Sequence, residues 1–255
     1  MDGVFGGDWA VSKKYKGKDC AYCGKVGASD TADHVVASSF FLIEDQGNLP
    51  KVPSCGPCNN QKSKLEHYVS AAFLAGSQLH EDGRYVRELV VPRLAKNKKQ
   101  MAEVGFFNPP VWINSDGLPR LALELKVDAA KLLQLMALVV KGLYCFHFQK
   151  PLDTRFCPEV FVLPPDKVAA SLAPFAQYIT HTSPRISGDI GNGSFRYEGV
   201  RSDAYEAFSI WSMGFHNGIP LHGAGSPPQG IATFLSVTVP TAEACARKIA
   251  DSTHT

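Results

Sequence analysis

The stretch CGPCNNQKSK, residues 55–64, places a Cys-x-x-Cys pair directly before two asparagines and two lysines. Asparagine is a weak helix former, yet from Asn59 to about Leu79 the spacing is helical, with Leu65, Val69, Ala72 and Phe73 on one side. The asparagines therefore either cap this helix or one of them has a chemical task. A second pair, Cys20-Ala-Tyr-Cys23, stands upstream, with 31 residues between Cys23 and Cys55. Two-residue spacing turns both sulfurs of a pair onto one ion, and two pairs complete a tetrahedral thiolate site for Zn²⁺. The expected ligands are Cys20, Cys23, Cys55 and Cys58. Four protein ligands leave no open position for substrate, so this zinc is structural and holds together a unit with little core of its own. Two unrelated reduced pairs, or a redox pair, would be the bland alternative, but neither pair has a thioredoxin-like strand–helix context.

The rest of the chain bounds the answer. With 255 residues it can bury a substantial core as one large domain or two small ones. A net charge of +2 does not by itself imply nucleic acid. Its positive charge is local, in KKYKGK (13–18), at Lys62 and Lys64, and in KNKK (96–99). The N-terminus shows no secretory pattern, and the longest apolar run, residues 132–140, is too short to span a bilayer. The expectation is a cytoplasmic protein without a membrane segment, in which thiols stay reduced and paired cysteines favour metal. Cys145, Cys157 and Cys245, left over from the pairs, read as small core residues.

The fold class expected is α+β: a zinc-stabilised N-terminal unit over 1–95, a linker over 96–119, and a mixed α+β accessory domain over 120–255. The linker reading rests on a polar, turn-rich stretch from Lys96 to Pro119. Beyond it RLALELKV (120–127) alternates as a half-buried strand, and Asp128 can cap a helix carrying Leu132, Leu135, Val139 and Leu143. Strands are expected in EVFVL (159–163), GSFRYEG, AFSIWSMGF and IATFLSVTV, a helix in DKVAASLAPFAQYI, and turns at Asp82-Gly83 and Asn217-Gly218. Residues 120–255 carry no catalytic motif.

Between the cysteine pairs lies TADHVVASSFF (31–41), then GNLPKVPS (47–54). Asp33 and His34 stand where a β-prone segment begins or bends. A carboxylate there can hold a hard divalent cation, and a neutral imidazole can take a proton from water. The order Cys-x-x-Cys, Asp-His-Val, Asn-Leu, Cys-x-x-Cys-Asn-x-x-Lys resembles the HNH nucleases, ββα-metal endonucleases, and among them the zinc-containing branch. The likeness covers about residues 18–70.

This resemblance implies a ββα-metal domain and a set of roles. His34 would be the general base, Asp33 a metal ligand, Asn48 a brace for the loop carrying the base, and Asn59 the second metal ligand. The catalytic ion would be Mg²⁺ (or Mn²⁺), with Zn²⁺ structural. Lys62, one turn along the helix, is expected as a phosphate contact beside the helix N-terminus. Tyr22 is expected to pack the zinc knuckle. Glu66 and His67 read as further ligands or their supporting partners, or, more blandly, as charges on a solvated face. Ala37 replaces a proline common in the family, and SSFFLIEDQ replaces a Gly-rich stretch, which affects the shape of the loop.

The expected partner is DNA, with RNA left open. Residues 120–255 would select a target, receive an activating ligand or protein, or form a homodimer. Defence, restriction and mobile elements are the biological settings compatible with the family, with defence or restriction the one expected. The competing reading is a non-catalytic zinc module that binds nucleic acid or a protein; such a module has no need of Asp33, His34 and Asn59 at these positions.

Overall fold

The computed structural model describes residues 13–76, 88–89, 91–103, 105, 108–115, 118–122, 128–215, 219–220 and 231–241. Strand β1 (Thr31–His34) pairs antiparallel with β2 (Lys51–Ser54), setting Asp33 opposite Val52 and His34 opposite Lys51. Pro53 offers no N–H, which a two-stranded ribbon tolerates because each strand has a free edge; its carbonyl accepts from the Ala21 N–H at 2.9 Å. Helix α1 (Gly56–Gly76) follows Cys55 directly. It begins three residues before the expected Asn59, and residues 77–79 lie outside the described residues, as do the side chains of Ala72 and Phe73. Its buried stripe is Lys62, Leu65, Glu66, Val69 and Ser70, the spacing of one helical face.

Two short helices, α2 (Val91–Lys96) and α3 (Lys98–Glu103), precede a hairpin of β3 (Val111–Ser115) and β4 (Leu118–Ala122). The stretch expected as a linker thus contains regular structure. Helix α4 (Ala129–Phe148) starts on Asp128, whose side chain accepts from the Lys131 N–H at 3.2 Å, as the sequence predicts. Its 20 residues are long and apolar enough to cross a membrane by length and composition, more than the shorter 132–140 run allowed. Leu135, Met136, Val139, Val140 and Leu143 are nevertheless almost wholly enclosed by other parts of the chain, as in a core helix.

Strand β5 (Phe156–Leu163) is followed by α5 (Pro165–Leu172) and a 3₁₀ turn over Ala173–Tyr178. The single helix expected over 166–179 is broken there because Pro174 lacks the N–H that an α-helix would use. Strands β6 (Arg185–Ile190), β7 (Phe195–Arg201), β8 (Ser209–Phe215), β9 (Ile219–Pro220) and β10 (Ile231–Pro240) complete the chain's described elements. They form with β5 an antiparallel sheet ordered β5-β10-β8-β7-β6, with β9 pairing to β10. The fold is mixed α+β, as expected. The predicted turns at Asp82-Gly83 and Asn217-Gly218, and residues 123–127 of the predicted strand, lie outside the described residues.

One continuous cluster of buried side chains runs from Cys20 and Val35 through α4 to Trp211 and Phe234. The core does not divide at 96–119. Helix α4 packs on α1, β2 and β5. The loop between β1 and β2 buries Phe40, Phe41 and Leu42, and Phe40 meets Phe215 at a ring distance of 5.1 Å. Asn192 in the β6–β7 turn donates to Asp45 of the same loop at 2.8 Å. SSFFLIEDQ therefore anchors the loop to the sheet.

Gly142 of α4 lies close to the residue after β1: an added Cβ would lie 3.1 Å from Val35 Cγ1 and 3.5 Å from Val35 Cα. Gly142→Val is expected to destabilise the protein by about 1–3 kcal/mol through overpacking, read as a lower urea midpoint. An unchanged midpoint would show that the two segments do not share a tight core.

Candidate metal centre and the buried charge cluster beside it

Cys20 opens a tight turn in which the Gly24 N–H donates to the Cys20 carbonyl at 2.9 Å, with Gly24 at φ +69°. A positive φ costs glycine little, so the chain reverses and brings Cys23 back beside Cys20. Cys55 stands between β2 and α1, and Cys58 lies in the first turn of α1. The four sulfurs lie within 4.8 Å of one another, and Cys23 Sγ is 3.9 Å from Cys55 Sγ. A tetrahedral ion with Zn–S bonds of about 2.3 Å needs sulfur separations of about 3.8 Å, so the group fits a metal such as zinc. The six cysteines among the described residues are free thiols.

The electrostatics point the same way. Burial opposes ionisation of Cys20, but N–H groups of Cys23, Cys55 and Tyr22 outweigh it and bring the thiol down to about 7. The Cys55 N–H reaches Cys20 Sγ at 3.4 Å. Burial, the hydrogen bond with Cys55 and the charges of the neighbouring sulfurs push Cys58 far up. Four thiolates in one place repel one another, and a divalent cation removes that penalty.

The second cluster lies on the α1 face just described. Lys62 is completely buried. Its ammonium donates to Asp33 Oδ2 at 2.9 Å, to the His34 carbonyl at 2.6 Å and to Glu66 Oε1. It also stands 5.6 Å from the centre of the Tyr22 ring. The Tyr22 hydroxyl donates to Asp33 Oδ2, so both side-chain donors to Asp33 among the described residues reach the same oxygen. Burial pushes the Glu66 carboxyl up, Lys62 opposes it, and the charge of Asp33 adds to the rise. Burial and then Asp33 hold the Tyr22 hydroxyl well above the usual phenol range.

The predicted site residues fare differently. Asp33, 9% exposed, and His34, half-buried, end β1. Asn59 is half-buried in the first turn of α1, three residues before Lys62 and hence on the same helical face, whereas Asn60 is exposed. Asn48 is exposed in the β1–β2 loop with φ +57°, a left-handed conformation that asparagine tolerates. Lys62 departs from its expected role: an ammonium with three protons on three internal acceptors has none left for a phosphate. Glu66 lies inside, while His67 beside it is exposed. Tyr22 does more than pack. The sequence signal that could have paired Glu66 with Lys62 is their i,i+4 spacing.

Removing the ammonium would leave Asp33 and Glu66 buried together without a counter-charge. Lys62→Met is expected to cost about 3–5 kcal/mol, measured by urea unfolding; a cost under about 1 kcal/mol would contradict a buried charge cluster. Among protein-family models, curated proteins and solved structures, nothing matches this chain.

Proposed function

We propose that the chain is an HNH-type, metal-dependent endonuclease that hydrolyses DNA phosphodiester bonds, with structural Zn²⁺ on Cys20, Cys23, Cys55 and Cys58. What supports the reading most is the order and placement of parts. The first cysteine pair precedes a β-hairpin whose first strand ends in Asp33 and His34, and the second pair leads from its second strand into a helix whose first turn carries Asn59. The helical face bearing Asn59 is the one that grips Asp33 through Lys62.

In this reading Asp33 and Asn59 hold Mg²⁺ or Mn²⁺. Carboxylate and amide oxygens suit such hard cations. An ion held there would supply Lewis-acid polarisation of the phosphate and of the departing 3′ oxygen. His34 takes a proton from the water whose oxygen forms the new bond to phosphorus as the P–O3′ bond breaks. Asn48 braces the loop between β1 and β2. Phosphate contact passes from Lys62 to the exposed Lys13, Lys14, Lys16, Lys18 and Lys25 around the first cysteine pair. Defence or restriction remains the setting this chemistry fits, with residues 120–255 selecting a target, an activator or a second copy.

One observation favours the second reading, a zinc module that binds nucleic acid without cutting it. The Lys62 ion pair already gives Asp33 a partner inside the protein. Plasmid nicking separates the two. The wild-type protein is expected to nick DNA in Mg²⁺ or Mn²⁺, with His34→Ala slower by about 10²–10⁴-fold. Asn59→Ala should lower cleavage far more than Asn60→Ala. Equal cleavage by wild type and His34→Ala would remove His34 from the chemistry. DNA binding indifferent to divalent metal, with no product, would favour the module.

A further inference from the structure

We propose that Tyr22, Lys62 and Glu66 are positioning residues that clamp Asp33 through Oδ2 and His34 through its carbonyl, so that Asp33 offers Oδ1 alone to a divalent cation. The inference rests on the nuclease reading of Asp33 and His34, and it assigns work to three side chains which that reading leaves without a role. A carboxylate free to rotate can bind an ion through either oxygen or both. Here the Tyr22 hydroxyl and the Lys62 ammonium both engage Oδ2. That fixes the carboxylate plane and leaves Oδ1 as the available oxygen.

The clamp has its own supports. Lys62 has no exposure and three acceptors, so its ammonium cannot swing to another partner without leaving a buried charge unpaired. Glu66, one turn further along α1, accepts from the same ammonium. The third acceptor is the His34 carbonyl, so one ammonium sets the backbone of the base and the carboxylate of the metal ligand together. Tyr22 sits between Cys20 and Cys23, and its carbonyl accepts from Lys141 Nζ of α4 at 3.0 Å. The cysteine turn and the core helix therefore fix the ring whose hydroxyl holds Asp33. Partners that orient a metal ligand commonly matter 10–100-fold in metal affinity or activity.

The test uses the full-length, zinc-loaded protein with Mn²⁺ as the probe. Tyr22→Phe removes one hydroxyl and Glu66→Gln one charge, both without a large change in shape. Free Mn²⁺ is counted by electron paramagnetic resonance, and kcat and KM are read from cleavage of a DNA duplex. In addition, the ¹⁵N–¹H signal of the Lys62 ammonium, slow to exchange because it is buried, is followed as Mn²⁺ is added. We expect that signal to broaden at substoichiometric Mn²⁺. Each variant should weaken Mn²⁺ binding about 10–100-fold and lower kcat, with KM for DNA unchanged because Lys62 touches no phosphate. Variants that melt earlier yet keep wild-type Mn²⁺ affinity and kcat would overturn the positioning role and leave the nuclease reading standing. A rise in KM alone would mean that the cluster contacts DNA, again overturning it. If the wild type neither binds Mn²⁺ nor cuts DNA, the nuclease reading falls and the positioning role falls with it.

Discussion

Lys62 carries a positive charge into the interior of the protein, and much of the N-terminal architecture serves to satisfy it. Burying an ammonium is costly unless each of its protons finds an acceptor. The three found here come from β1, the residue ending β1, and the next turn of α1. Strand and helix are thereby held in one relative position, because moving either would strand a charge. Leu65 and Val69 on the same helical face add apolar burial to this polar contact. The polar contact fixes which residues face each other, and the apolar one supplies most of the stabilisation.

The same constraint reaches the cysteine site and the rest of the chain. Tyr22 belongs to the turn between Cys20 and Cys23, donates to Asp33, and is tied through its carbonyl to Lys141 of α4. Val35 packs on Gly142, the next residue of α4, and Phe40 and Phe41 extend the contact to the large sheet. A unit of this size has too little core to be stable alone, which is one reason for four clustered thiols. The second reason is visible in the packing, since α4 and the sheet cover what the unit cannot cover itself.

Much of this was legible in the sequence, and what was not has a physical cause. The cysteine spacing foretold the four-sulfur cluster because two-residue spacing is a geometric requirement of one shared ion. Asp128 as a helix cap and the strands around residues 159–163, 195–201, 209–215 and 231–239 followed from capping chemistry and alternation. Lys62 is expected outside, and Glu66 reads as a ligand, a ligand's supporting partner or a solvated charge, because a charged residue is ordinarily a surface residue, and burial becomes the better state only once a partner is present. That partner, Asp33, is 29 positions away from Lys62, and no local pattern encodes the pairing. Polar, turn-rich residues 96–119 looked like a linker because composition reports solvation and not whether the flanking cores merge. The helix expected through 166–179 overlooked the missing N–H of Pro174.

The proposed nuclease reading requires two metals in different chemical surroundings, sulfur for zinc and a clamped carboxylate for a hard divalent ion. Crystals grown with Zn²⁺ and soaked in Mn²⁺ test it through anomalous scattering at the two absorption edges. The account predicts a zinc peak among Cys20, Cys23, Cys55 and Cys58, and a separate manganese peak within bonding distance of Asp33 Oδ1 and the Asn59 side chain. Manganese absent from Asp33, with Lys62 still paired to it, would contradict the account.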